Sequence, residues 1–140
     1  MSGNDRMMKT LDGADGAIET PGSARTVDGG QPILDVDHLD VTFSTDAGDV
    51  HAVKDVSLAV SPGEVLAIVG ESGSGKSQSS MSLLGLLPSN GRATGSAKLG
   101  DKELIGMPQE RMQHIRGNDI SVIFQEPMTA LNPVYTAGFQ

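Results

Sequence analysis

Residues 70–77 read Gly-Glu-Ser-Gly-Ser-Gly-Lys-Ser, a glycine-rich stretch that ends in a lysine and a serine and matches the phosphate-binding loop pattern. The apolar run 65–69 comes directly before it, and the proline-free segment 76–87 follows. A strand, a loop and a helix in this order are the context that the pattern requires. The sequence therefore predicts a site for a nucleoside triphosphate such as ATP.

Each residue type in the loop suits a phosphate ligand. Glycines let the backbone curl so that consecutive N–H groups face an anion, and the positive end of the following helix points at the same place. Lys76 can reach the β- and γ-phosphates, and the Ser77 hydroxyl suits Mg²⁺. The loop residues expected to contact ATP are Gly70, Glu71, Ser72, Gly73, Ser74, Gly75, Lys76 and Ser77. The alternative is a chance Gly/Ser loop, which the strand and helix context disfavours.

The composition excludes several other classes of site. The formal net charge is −8, and only ten Lys and Arg residues are scattered along the chain, which argues against a nucleic-acid surface. There is no cysteine, so disulfides, thiolate metal sites and cysteine nucleophiles are excluded. The apolar runs are about five residues long, far below the roughly 20 that span a bilayer, so we expect any membrane role to come through partners.

The chain divides into a tail and one domain. Residues 1–31 carry many glycines and scattered polar residues with few apolar ones, which predicts a disordered N-terminal tail. Residues 32–140 are expected to form the nucleotide-binding part. Within it, segments 33–43 and 50–60 alternate apolar and polar residues on either side of a turn at 45–49, which indicates an antiparallel hairpin.

Downstream of the loop the pattern changes from element to element. Residues 76–87 are typical of a helix, and segment 93–104 of two short strands around a turn. Residues 108–116 favour a second helix. The apolar segment 119–124 indicates a strand that ends at Gln125, because a Glu-Pro pair follows.

Two flanking features resemble the ATP-binding cassette (ABC) family: Phe43 at the end of an upstream strand and Gln125 at the end of a downstream one. Within that family, the sequence most resembles the oligopeptide and dipeptide importer ATPases. Gln78, where many cassettes carry threonine, also resembles this branch and joins the expected ATP contacts. The resemblance covers residues 33–140, and the stretches that carry it are 41–45, 70–78, 85–88 and 123–133.

The resemblance implies an α/β fold of the P-loop NTPase type: a truncated ABC-type nucleotide-binding domain with an antiparallel β hairpin plus a partial parallel sheet with flanking helices. It also implies that Phe43 stacks on adenine, that Lys76 and Gln125 are catalytic, and that Ser77 and Gln125 contact Mg²⁺. Two alternatives stay open, because Phe43 could be a core aromatic and Gln125 a simple strand terminator.

The resemblance further implies an energy-coupling ATPase subunit of a peptide importer. Such subunits close head to tail with a second ATP-binding subunit and touch ABC permease subunits through the loop after Gln125. This places the chain peripherally, on the cytoplasmic face of the plasma membrane, with no nucleic-acid partner.

The signature sequence and the acidic second nucleotide motif of the family have no counterpart in this sequence. We therefore expect an N-terminal fragment with an exposed sheet edge that binds ATP weakly and hydrolyses it negligibly alone. Two other functions stay open: a non-catalytic module that uses ATP as a structural ligand, and a non-transport ABC ATPase of DNA repair or translation. The transported solute is predicted only at the family level, as peptide rather than nickel.

Overall fold

The structure, a computed structural model, describes residues 8–11 and 30–124 together with Thr136 and Gly138. These residues form six strands and two helices. In chain order they are β1 (Met8–Leu11), β2 (Leu34–Thr45), β3 (Gly48–Val60), β4 (Ala67–Gly70), α1 (Lys76–Leu83), β5 (Gly91–Leu99), β6 (Lys102–Glu103) and α2 (Gln109–Ile115). No helix within these ranges has the length and apolar character needed to cross a bilayer.

Four of the strands form an antiparallel sheet in the order β3-β2-β5-β6. Strands β2 and β3 pair along their whole length, from Leu34 opposite Val60 to Thr45 opposite Gly48. The predicted hairpin is therefore confirmed. The two short strands predicted within 93–104 are also confirmed as β5 and β6, although β5 begins earlier, at Gly91.

The core lies on one face of this sheet, where α1 contacts β2, β3 and β5. Alternate residues of a strand point to the same face, so the apolar positions of β2 and β3 lie together, and Met112 and Ile115 of α2 join them. The buried residues that form this cluster are Val36, Leu39, Val41, Val53, Val56, Leu58, Ala97, Leu104, Met112 and Ile115.

The β5–β6 turn is held together by the Glu103 carboxylate. It accepts hydrogen bonds from the Ser96 hydroxyl at 2.5 Å, from the Ala97 N–H at 2.8 Å and from the Ile105 N–H at 3.1 Å. Burial alone would raise the pKa of Glu103, but these bonds and the nearby Lys98 charge together lower it. The carboxylate thus serves the backbone of the hairpin.

Strand β4, which leads into the phosphate loop, lies outside this sheet. It pairs in parallel with β1, with Met8 opposite Ala67 and Leu11 opposite Gly70. The expectation of a disordered tail therefore does not hold for Met8–Leu11. The physical reason is that the backbone N–H and C=O groups along the edge of β4 require partners, and β1 supplies them. For the other residues of 1–31 the tail stays a prediction.

Helix α1 is shorter than predicted, since it ends at Leu83 rather than at residue 87. Gly85 has φ +60°, a left-handed conformation that reverses the chain direction. The Leu86 N–H then bonds back to the Met81 carbonyl at 2.9 Å, which completes a glycine-terminated helix end. Pro88, the first proline after the helix, follows only after this turn.

The strand predicted at 119–124 is wrong within the described residues. Only Ile120 takes part in an isolated bridge, to Arg116, and residues 121–124 are assigned to no strand. Strand structure needs an adjacent strand for its hydrogen bonds, and none of the described strands runs beside this segment. Ile123 is 97% exposed. Gln125, where the strand was predicted to end, lies outside the described residues, as does the stretch 126–135.

Candidate functional site

The phosphate loop joins the end of β4 at Gly70 to the start of α1 at Lys76. Gly73 has φ +84° and Gly75 has φ +88°, a region that residues with a side chain rarely adopt. A Cβ at Gly75 would also lie 2.3 Å from the Ala52 carbonyl oxygen of β3. The sequence requirement for glycine is thus met at these two positions, whereas Gly70 is an ordinary strand residue without positive φ.

The N-terminus of α1 opens directly behind this loop. Gly75 is the N-cap residue, no side chain of the described residues caps it, and the first turn contains no acidic residue. The first backbone N–H groups of a helix lack intrahelical partners and carry the positive end of the helix dipole. The eight-residue helix therefore presents uncapped N–H donors where the loop predicts a phosphate.

The Lys76 ammonium group lies across the loop. It donates to the Gly70 carbonyl at 2.7 Å, to the Glu71 carbonyl at 2.5 Å and to the Ser74 hydroxyl at 3.1 Å. A lysine ammonium has three donors, and the loop uses all of them. An anion that enters the loop must therefore share these donors or exchange with the loop oxygens.

A cavity of about 340 Å³ opens at this point, within the 300–1,000 Å³ typical of small-molecule sites. Lys76 is the one charged side chain among the described residues that line it. The structure brings Phe43 together with the second half of the loop. Gly70, Glu71 and Ser72, on the β4 side of the loop, are not among the lining residues. The lining residues are Phe43, Ala52, Gly73, Ser74, Gly75, Lys76, Ser77 and Gln78.

Gln78 has an unusual environment in the wall of this cavity. Its Oε1 atom is buried and has no hydrogen-bond partner among the described residues. A buried acceptor without a donor costs about 1–3 kcal/mol, which a ligand donor or a rotation of the amide would recover. The geometry is consistent with Gln78 as a ligand contact.

Phe43 is half-buried and packs against the start of β5. A Cβ at Gly91 would lie 2.7 Å from its Cε1 and 3.1 Å from its Cδ1. The neighbouring backbone is fixed by the Ser44 N–H, which donates to the Asn90 carbonyl at 2.9 Å. Phe43 is therefore both a packing residue and a wall of the cavity.

Sequence reasoning missed Ala52 and Gly91, which shape the cavity from outside the loop. Ala52 is a small residue among the valines of β3, and Gly91 is the first residue of β5. Small residues at these two places were the available signal, but nothing local indicates which distant group approaches them.

A protein-family model described as "ABC transporter" matches residues 53–138, more than half of the chain. The chain belongs to the ABC transporter family. The fold class predicted from the resemblance is therefore confirmed, with the loop, α1 and the antiparallel sheet as parts of an ABC nucleotide-binding domain.

Relatives to which the chain is similar are named "Oligopeptide transport ATP-binding protein OppD". That of Mycobacterium tuberculosis is 50% identical over 109 residues, which is 78% of this chain and 18% of the relative. That of Escherichia coli is 50% identical over 108 residues, 77% of this chain and 32% of the relative. That of Haemophilus influenzae is 50% identical over 109 residues, 78% of this chain and 34% of the relative. The chain spans about a fifth to a third of the length of these relatives, and the resemblance to the oligopeptide branch is confirmed.

Proposed function

We propose that this chain is the nucleotide-binding part of an ATP-hydrolysing subunit that energises a peptide importer of the ABC family. The observation that carries the proposal is convergence: the positive-φ glycines of the loop, the Lys76 ammonium and the uncapped start of α1 all face one cavity. The names of the relatives, which are about 50% identical, support oligopeptides as the transported class.

The loop residues have separable roles in this proposal. The amides of residues 73–77 bind phosphate oxygens, because positive φ at Gly73 and Gly75 turns successive N–H groups toward an anion. Lys76 exchanges its loop oxygens for phosphate oxygens of higher charge density. Phe43 offers a ring face to the adenine base.

Bound MgATP supplies the transferable phosphoryl group and a metal ion that neutralises its oxygens. We propose that the exposed Ser77 hydroxyl holds Mg²⁺ from the first turn of α1. Gln125, outside the described residues, is proposed as the second Mg²⁺ contact and as the residue that orients water. Gln78 closes the wall beside the phosphates.

Partners are proposed on the same basis. The loop after Gln125 contacts ABC permease subunits, and a second ATP-binding subunit closes head to tail over the nucleotide. The chain then acts peripherally at the cytoplasmic face of the plasma membrane, reaching the bilayer only through these partners. The net charge of −8 supports the absence of a nucleic-acid partner.

Calorimetric titration of the chain with MgATP tests the site. We expect binding heat from the natural sequence and an affinity at least roughly tenfold lower for Lys76→Ala, since a charge-assisted contact contributes about 1.5–3 kcal/mol. Lys98→Ala, which removes an exposed lysine of β5, is the matched control and is expected to bind as the natural sequence does.

Two outcomes would contradict the proposal. Folded chain that gives no heat with MgATP has no nucleotide site, and equal affinities for Lys76→Ala and Lys98→Ala would place binding elsewhere. The other candidate functions predict different results. Binding of a short DNA duplex would favour a repair ATPase. In the full-length protein, nucleotide-dependent stabilisation without any phosphate release would favour a structural ligand.

A further inference from the structure

Arg116 caps the far end of α1 from a distant part of the chain. Its Nε donates to the Leu84 carbonyl at 2.7 Å, and one terminal nitrogen donates to the Gly85 carbonyl at 2.9 Å and to the Gln109 side-chain oxygen at 3.1 Å. Helix α1 has no basic residue in its own last turn. Arg116 therefore supplies the cation that the negative end of the helix dipole favours.

The backbone of Arg116 belongs to a tight turn. Its N–H bonds to the Met112 carbonyl at 3.0 Å, and it forms an isolated parallel bridge with Ile120. The N–H groups of residues 118–120 all converge on the Ile115 carbonyl at 2.9–3.2 Å. The turn is also held from outside, because Lys102 pairs with the Asp119 carboxylate. One residue thus joins the end of α1 to a rigid turn.

The two ends of this connection lie at different functional places. Helix α1 begins with Lys76 at the phosphate loop, and eight residues at about 1.5 Å each put its far end roughly 12 Å away. The turn at 116–120 leads directly into segment 121–124 and then to Gln125. A helix is stiff along its axis, so a shift at the loop displaces the carbonyls that Arg116 holds.

The guanidinium geometry suits this role. Arginine presents donors in a fixed planar fork, and here three contacts reach the two carbonyls just after α1 and a side chain of α2 at once. The guanidinium group lies close to Gly85, where an added Cβ would be 3.2 Å from the Arg116 terminal nitrogen. A lysine could retain the charge but not the simultaneous contacts. By contrast, the Arg111 side chain of α2 makes no hydrogen bond or ion pair within residues 30–124.

We propose that Arg116 is a positioning residue through which nucleotide occupancy of the phosphate loop stabilises the turn at 117–120. This rests on the proposed function, because it requires MgATP at the loop. The two sites are the loop at the start of α1 and the turn that precedes Gln125. The coupling consists of the Arg116 bonds to the Leu84 and Gly85 carbonyls.

Amide hydrogen exchange, resolved residue by residue by NMR on the complete 140-residue chain with and without MgATP, tests the coupling. In the natural sequence we expect MgATP to slow exchange at residues 73–78 and also at Gly117 and Ile120, the latter by about fivefold or more. Arg116→Ala should keep the slowing at the loop and lose it at the turn. Arg116→Lys should give an intermediate value, and Arg111→Ala should behave as the natural sequence does.

The difference in exchange rate at the turn with and without MgATP separates coupling from a purely structural role of Arg116. If Arg116 only stabilises the fold, the turn in Arg116→Ala should exchange faster to the same extent with and without MgATP. The fivefold nucleotide-dependent difference would then persist, and that result overturns the proposal. If Arg116→Ala does not fold, Arg116→Lys replaces it as the test. Equal nucleotide-dependent slowing at the turn in Arg116→Lys and in the natural sequence would also overturn the proposal. If MgATP slows no loop amide in any variant, the proposed function fails and this inference falls with it.

Discussion

The antiparallel sheet and the nucleotide unit, defined as residues 67–83, differ in how they bury their apolar residues. In the sheet, Leu39 and Val41 are at most 1% exposed. Beside the nucleotide unit, Val65 is 75% exposed, and Val69 within it is 38% exposed. The core face of the sheet is therefore covered, whereas β4 leaves apolar surface open around the phosphate loop.

The difference follows from connectivity. Antiparallel strands can be joined by tight turns, so β2 and β3 find each other locally, whereas parallel strands need long connections and distant partners. Strand β4 pairs with β1, far upstream in sequence. An apolar cavity of about 230 Å³ remains where β4 and α1 meet the sheet. The nucleotide unit and the sheet are thus incompletely packed where they meet.

Gly75 of the phosphate loop lies directly against the backbone of β3. We therefore expect Gly75→Ala to have the largest effect. The new Cβ would meet the Ala52 carbonyl at 2.3 Å and would add strain at φ +88°. We expect the free energy of unfolding to fall by roughly 2–4 kcal/mol, measured by urea denaturation. Gly63→Ala, at φ +77° in open space, is the control and should lose roughly 1–2 kcal/mol. Equal losses would show that the loop does not press on β3.

The unequal burial of the two regions is tested by the same substitution at two valines. Val41→Ala removes two buried methylene equivalents from the sheet core, which at about 0.8 kcal/mol each, with the cavity left behind, costs roughly 2 kcal/mol. Val65→Ala, at 75% exposure, should change the free energy of unfolding by less than about 0.5 kcal/mol. A comparable loss at Val65 would mean that this surface is covered in solution.

The aromatic wall of the cavity gives a prediction that separates packing from binding. Gly91→Ala would push the Phe43 ring, because the added Cβ lies 2.7 Å from Cε1. If Phe43 stacks on adenine, MgATP affinity should fall by roughly fivefold, the equivalent of about 1 kcal/mol in calorimetric titration. Gly138→Ala, where a Cβ would meet nothing within 4 Å, should leave affinity unchanged. Unchanged affinity in Gly91→Ala with lower stability would leave Phe43 a packing residue only.

Sequence reasoning succeeded where structure depends on neighbours along the chain. In the sequence the apolar positions of segment 33–43 change phase between Val36 and Leu39, and the β2 register shifts at the same place, where His38 has φ +48°. The glycine requirement at Gly75 was visible for the same reason, because a tight loop restricts its own backbone.

Sequence reasoning failed where structure depends on distant partners. Which strands lie alongside decides the pairing of Met8–Leu11 with β4, and it also decides why residues 121–124 form no strand with any described part of the chain. The same holds at the site. The loop could be predicted, but the approach of Ala52 to Gly75 and of Gly91 to Phe43 joins residues that no local pattern relates.

The smallest predicted effect concerns that irregularity in β2. His38 and Asp55 both have positive φ, and the His38 Nδ1 lies 2.5 Å from the Asp55 Oδ1. The hydrogen bond to Asp55, with the negative charges of Asp37, Asp55 and Asp40, raises the pKa of His38 above its usual 6.5. Because the folded pKa is the higher one, this contribution to stability is complete below about pH 6.5 and is lost as the pH rises through the folded value.

The free energy of unfolding should therefore fall slightly from about pH 6 to about pH 8, by a small amount because both side chains are exposed to solvent. Asp55→Asn should flatten this slope, since asparagine tolerates the positive φ but carries no charge. His114→Asn, which removes a histidine from α2, should leave the His38 contribution in place. An identical slope in Asp55→Asn and the natural sequence would show that the ion pair does not hold this irregularity. The backbone would then hold it, through the close approach of Gly95, where an added Cβ would lie 2.2 Å from the His38 carbonyl oxygen.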